Sequence, residues 1–233
     1  YETVARQAAQ LAEYGLPATF LLQYDALINP RYRKLLTQDV YPGTEVGGWW
    51  EITQPHVEAA GLKWRGRYPW DWHADVGFAT GYTPEERRKL VDVYMEKFKE
   101  VFGNYPTAIG SGYIAGSDPI YQYDNCVGGA LQGVISLEPV YGDSGGSRQW
   151  VEWFFRSMFE EPCLAFAYTQ AGQENSFTWG SMEKGLNIQI PLMANRFRKG
   201  EIRVETLTRS GEWFRENFPV TPPTAVTALT DYR

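Results

Sequence analysis

Ala18-Thr19-Phe20-Leu21-Leu22 is a short unbroken apolar run that follows Gly15 and ends at the polar Gln23. A strand buried on both faces reads this way, because neither side of its pleat meets water. Upstream, Tyr1 to Gly15 carries Val4, Ala8, Leu11 and Ala12 on one helical face. Downstream, Asn29-Pro30 opens a helical segment through Leu36. Thr44 to Trp50 (TEVGGWW) then reads as the next strand, with Gly47 and Gly48 allowing close backbone approach. Ile52 to Ala60 is helical again and stops at Gly61. The strongest helix signal is Thr83-Pro84-Glu85-Glu86. It combines an N-cap threonine, a proline at the first helical position and a glutamate three residues on, so a capping box should start a helix reaching about Phe102.

The alternation continues. Thr107 to Ser111, Val134 to Leu137, Cys163 to Tyr168 and Ile202 to Val204 read as strands; Ser147 to Glu160, the region up to Lys199 and Thr208 to Phe218 read as helices. Pro191 should kink or split the second of these. From Gly112 to Gly133 there is no apolar helical stretch, although a parallel crossover normally takes a dozen or more residues. Strand-helix alternation implies a parallel sheet, open or closed. We therefore expect one α/β domain over residues 1–233, in which either the chain leaves this pattern near 111–118 or a segment is missing there.

Composition narrows the partner. The 233 residues are 43% hydrophobic with a net charge of −6, and the arginines are scattered among acids. That excludes a basic stripe for nucleic acid, and no membrane span is present. Cys126 and Cys163 stand apart, outside any C-x-x-C pattern. They make no metal or redox site by spacing; one disulfide between them, and with it a secreted or a cytoplasmic location, stays open. Gly142 to Gly146 lacks the lysine and hydroxyl of a phosphate loop, and no Gly-x-Ser-x-Gly occurs.

Aromatic residues are 15% of the chain. Trp and Tyr faces stack on the apolar side of a pyranose while polar neighbours bind its hydroxyls, although a tryptophan can equally be core. The densest cluster is Trp64 to Tyr82 (WRGRYPWDWHADVGFATGY), where Trp70 and Trp72 interleave with Asp71, His73 and Asp75. Charges in such a segment need partners if buried, so it reads as the floor or wall of a polar pocket.

In parallel α/β folds ligands bind beyond the C-terminal ends of the strands. Residues just after expected strands are Gln23 and Asp25, Glu51, then Glu138 with Tyr141 and Asp143, then Gln170, Gln173 and Glu174, and Glu205. Glu51, Glu138 and Glu174 each follow an apolar strand or aromatic pair and are the catalytic candidates; each is also a residue type used as an N-cap, a salt-bridge partner or a solvated loop acid. Trp49, Trp50, Trp70, Asp71, Trp72, His73, Asp25, Tyr141 and Gln173 are candidate sugar contacts.

The run Ala18 to Leu22 after an amphipathic helix, with Glu45-Val46-Gly47 about two dozen residues later, resembles the ATFF and EIG signatures of the polysaccharide deacetylase-like superfamily. The resemblance covers about the first quarter of the chain; beyond it only the order of elements agrees. It implies a parallel (β/α) barrel of about seven strands, distorted or incomplete and lacking its first strand, which would precede Tyr1, related to barrel glycoside hydrolases. A deacetylase of that family follows its EIG with a histidine pair that, with a first-strand aspartate, holds a divalent metal. Here the stretch is Gly47-Gly48-Trp49-Trp50-Glu51, and the chain's two histidines are His56 and His73.

No cofactor is therefore expected, and a metal would need carboxylates. Without a metal, glycoside hydrolysis takes two carboxyl groups. The leading expectation is a carbohydrate-active hydrolase that acts on an oligosaccharide or polysaccharide and cleaves a glycosidic bond. The alternatives are a non-catalytic carbohydrate-binding barrel and a metal-dependent polysaccharide deacetylase completed by residues before Tyr1.

Overall fold

The computed structural model describes residues 1–71, 73–111, 134–137, 148–149, 152, 156, 166–169 and 179–217. They fall in two compact units. One comprises Tyr1–Pro17, Val127–Glu205 and Glu212–Arg233; the other comprises Ala18–Cys126 and Thr206–Gly211.

In the first unit, helix α1 (Glu2–Tyr14) ends at Gly15, whose left-handed φ of 71° lets its N–H reach back to the Ala12 and Leu11 carbonyls. Later in the chain come strands β4 (Val134–Leu137) and β5 (Phe166–Thr169), which pair in parallel, and a long helix, α7 (Trp179–Arg198). Leu16 packs on Leu186, Ile190 and Ala194 of α7, with Leu11, Tyr14, Met193 and Val204 against them. Pro191 lies inside α7, which continues through it. The missing N–H costs about 3 kcal/mol. Burial of Leu186, Ile188 and Ile190 on that helix, at about 1.5–3 kcal/mol for each such side chain, offsets it.

The second unit is built on strands β1 (Thr19–Leu22), β2 (Glu45–Trp50) and β3 (Ile109–Ser111), all parallel in the order β1-β2-β3. Helices α2 (Tyr24–Leu27) and α3 (Pro30–Gln38) connect β1 to β2. Asn29 caps α3 by accepting from the Arg31 N–H at 3.0 Å. Helices α4 (Gln54–Ala59), α5 (Ala74–Gly77) and α6 (Pro84–Phe102) connect β2 to β3. The capping box is formed in full, with Glu86 N–H to Thr83 Oγ1 at 3.3 Å and Thr83 N–H to Glu86 Oε2 at 2.8 Å.

Leu90, Tyr94 and Phe98 repeat every four residues along α6 and are buried. Gly48 makes room for this face, since a Cβ there would lie 3.0 Å from the Tyr94 hydroxyl. That hydroxyl donates to the Leu22 carbonyl at 2.6 Å, fastening α6 to the end of β1. On the other side of β2, a Cβ on Gly47 would sit 2.5 Å from the Ala108 carbonyl oxygen, so only glycine admits this strand spacing.

The N-terminal end of the sheet is held by one carboxylate. Glu45 faces Thr19 across the β1–β2 register. It accepts from Thr19 Oγ1 at 2.9 Å, Thr107 Oγ1 at 3.1 Å, the Thr208 N–H at 3.1 Å and the Thr208 hydroxyl. Thr208 opens helix α8 (Leu207–Asn217), where a negative charge also meets the positive end of the helix dipole.

The expected seven-stranded (β/α) barrel is not what forms. The described strands make an open three-stranded sheet and a separate two-stranded pair, and Ile202 to Val204 is not a strand. Val204 instead packs on the α1–α7 cluster. A three-residue run with two apolar side chains has too little period-2 pattern to outweigh that burial. Strand-helix alternation is common to open and closed sheets, and closure depends on pairings between distant strands.

Candidate functional site

Glu51 follows β2 directly, as Gln23 follows β1, and parallel register brings the two ends together. Gln23 Nε2 donates to Glu51 Oε2 at 2.6 Å, and the indole N–H of Trp70 reaches the same oxygen at 3.3 Å. Glu51 is 5% exposed, whereas Trp70 is 37% exposed. A carboxylate thus lies beneath an indole that meets solvent. Gln23 and Trp70 are donors here, and both suit the ionised carboxylate, which only accepts.

Trp70 belongs to a strap, residues 64–71, pinned at several points. Gly66 lies against the Trp64 ring, with an added Cβ only 2.3 Å from it. The Trp64 indole N–H donates to the Tyr68 carbonyl at 3.0 Å, and the Gln54 backbone N–H to the Pro69 carbonyl at 2.8 Å. Asp71, 2% exposed, closes the strap. It accepts from Arg67 Nε at 3.0 Å, Arg67 Nη2 at 3.1 Å, the Arg67 backbone N–H at 3.1 Å and the His73 backbone N–H at 3.2 Å. The Arg67 guanidinium, helped by those two backbone donors, holds the Asp71 carboxyl far below the usual carboxylate range. Asp71 is therefore a fixed anion near neutral pH and cannot serve there as a proton donor.

The other candidates separate by position. His73 caps α5, its Nδ1 accepting from the Asp75 N–H at 3.4 Å, and its link to Asp71 runs through its backbone. Asp25 is exposed in the first turn of α2. Trp49 lies over Gly110, where a Cβ would be 2.7 Å from its ring; its indole N–H is buried and has no hydrogen-bond partner. Trp50 is on the α6 side, edge-on to His56 at 5.4 Å and to Tyr94 at 5.9 Å between ring centroids. Glu138, Glu174, Trp72, Tyr141 and Gln173 lie outside the described residues.

Two residues at this site have no individual signature in the sequence. Arg67 is Asp71's partner across a non-helical spacing of four. Tyr68 is 64% exposed, with the Arg67 guanidinium carbon 5.8 Å from its ring centroid. The signal that could have found Arg67 is the burial of a charge, which requires a counter-charge close by.

Among the described residues, no group of three or more His, Cys, Asp or Glu side chains is placed to hold a metal ion. None of their helices is long and apolar enough to cross a membrane. No protein-family model, curated protein or solved structure matches this chain.

Proposed function

We propose that this protein is a carbohydrate-active hydrolase that cleaves a glycosidic bond, with Glu51 as one of its two carboxyl groups. The observation carrying this reading is the buried Glu51 carboxylate at the end of β2, bonded to the indole N–H of solvent-facing Trp70. An indole face binds the apolar side of a sugar ring, and a carboxylate beside it can act on the anomeric carbon or on a water. Because Gln23 and Trp70 both donate to it, Glu51 is assigned as base or nucleophile. Asp71, tied up by Arg67, supports the strap that carries Trp70.

The test is release of reducing sugar from a panel of oligosaccharides, with acetate release measured alongside. Glu51→Gln is expected to lower turnover by about 10²–10⁴-fold. Parental turnover in Glu51→Gln would remove Glu51 from the mechanism.

A second reading, a sugar-binding protein without turnover, is favoured by one feature: both buried carboxylates on this face, Glu51 and Asp71, are engaged by donors of the protein itself. Titration calorimetry separates the two, since binding that survives Glu51→Gln in a protein without turnover favours the second.

A further inference from the structure

We infer that the Glu51–Trp70 site takes an electrically neutral glycan and discriminates against uronic and sulfated sugars; this rests on the glycan reading above and adds the charge class of the ligand. An anionic sugar would need an uncommitted cation beside the aromatic plates. The arginine next to those plates is Arg67, and its fork is bidentate on the Asp71 carboxylate at 3.0 and 3.1 Å. Asp71 is buried and fixed as an anion by four donors. The pair carries no net charge.

The other arginine of the strap is committed as well. Arg65 lies 4.4 Å from the Tyr82 ring centroid and donates through Nη2 to the Gly81 carbonyl. Asp25 and Asp75 are exposed, and the chain as a whole carries −6. Among the described residues both strap arginines already hold a partner, Arg67 on Asp71 and Arg65 on the Gly81 carbonyl and Tyr82 ring, so an approaching carboxylate or sulfate would meet a net-acidic chain without an uncommitted strap arginine.

The same pair offers hydroxyls what it denies to anions. A guanidinium has five N–H bonds; Asp71 takes two from the side chain of Arg67, and that side chain is 67% exposed. Its outward N–H bonds can donate to neutral hydroxyls beside Tyr68 and Trp70. Planar donors with no net charge next to aromatic faces fit an uncharged pyranose.

The experiment is calorimetric titration of the full chain with neutral hexaoses of glucose, mannose and N-acetylglucosamine, and with hexagalacturonate and a sulfated heparin hexasaccharide. The parent is compared with Trp70→Ala, to locate binding at this site, and with Arg67→Gln. The expected result is binding of at least one neutral hexaose, weakened about tenfold or more by Trp70→Ala, with both anionic hexasaccharides at least about tenfold weaker than it. Arg67→Gln, which leaves the Asp71 charge uncompensated, should weaken the neutral sugar and weaken the anionic ones further. Equal or tighter binding of an anionic hexasaccharide that Trp70→Ala abolishes would overturn the neutral-ligand inference and leave the glycan reading standing. No Trp70-dependent binding of either class would overturn both.

Discussion

His56 should make the fold acid-sensitive, and its surroundings allow the size of the effect to be worked out. The imidazole is fully buried in α4, 0% exposed, stacked on Tyr24 with centroids 4.8 Å apart and edged by Trp50 and Tyr94. Nε2 is 2.8 Å from the Leu90 carbonyl and must donate to it, which leaves Nδ1 with the lone pair. Nδ1 is buried and has no hydrogen-bond partner. Protonation would place a charge and an unanswered donor among aromatic rings.

Burial therefore lowers the pKa to about 4, against an ordinary 6.5, with the Leu90 carbonyl pulling the other way. Between these two values the unfolded chain binds a proton that the folded chain refuses. The stabilisation is fully present above about pH 6.5 and is lost as pH falls toward 4, at up to about 1.4 kcal/mol per pH unit, or about 3 kcal/mol in all. Urea titrations at pH 7, 6, 5 and 4 measure it when compared with His56→Phe, which keeps a ring of similar size and cannot titrate. His73, the chain's other histidine, is exposed and common to both proteins, as are all the carboxylates. The parent should lose about 3 kcal/mol more than the variant over this range. Parallel profiles would refute the assignment of a buried neutral imidazole.

Three further substitutions test the scaffold. Glu45→Ala strips the acceptor shared by Thr19, Thr107 and Thr208 and should cost about 3 kcal/mol in urea unfolding; a loss below about 1 kcal/mol would mean this end of the sheet is held otherwise. Gly47→Ala puts a methyl against the Ala108 carbonyl and should cost about 1–3 kcal/mol, read as a lower melting temperature. Thr83→Ala removes one half of the capping box on α6 and should cost about 1 kcal/mol. Fast amide exchange confined to the first turn of α6 would accompany it, and unchanged exchange there would argue against the cap.

Local grammar was legible where one or two residues decide the backbone. Gly15, Asn29 and the Thr83–Glu86 box mark helix ends because their geometry is satisfied within a few residues. The apolar run Ala18–Leu22 and the TEVGGWW segment reveal β1 and β2, and the strand-end rule then points to Gln23 and Glu51, which do meet. Pro191 does not split α7, because a local penalty is set against burial of apolar side chains along the same helix. Trp49 and Trp50 look alike in sequence; which of them faces α6 follows from the pleat once the helix has chosen a side.

The sequence by itself therefore determined helices α1, α3, α4, α6, α7 and α8, the first strands and their parallel sense, and the placement of a carboxylate at the end of β2, since propensity, capping and hydrophobic period act over a few residues. Only the tertiary structure decided that the sheet stays open, that Asp71 is spent on Arg67, and that the Trp70 indole comes to rest on Glu51. Each of these depends on groups that approach only after the chain has folded back on itself, where desolvation gives every buried charge and every strand edge a partner or a cost.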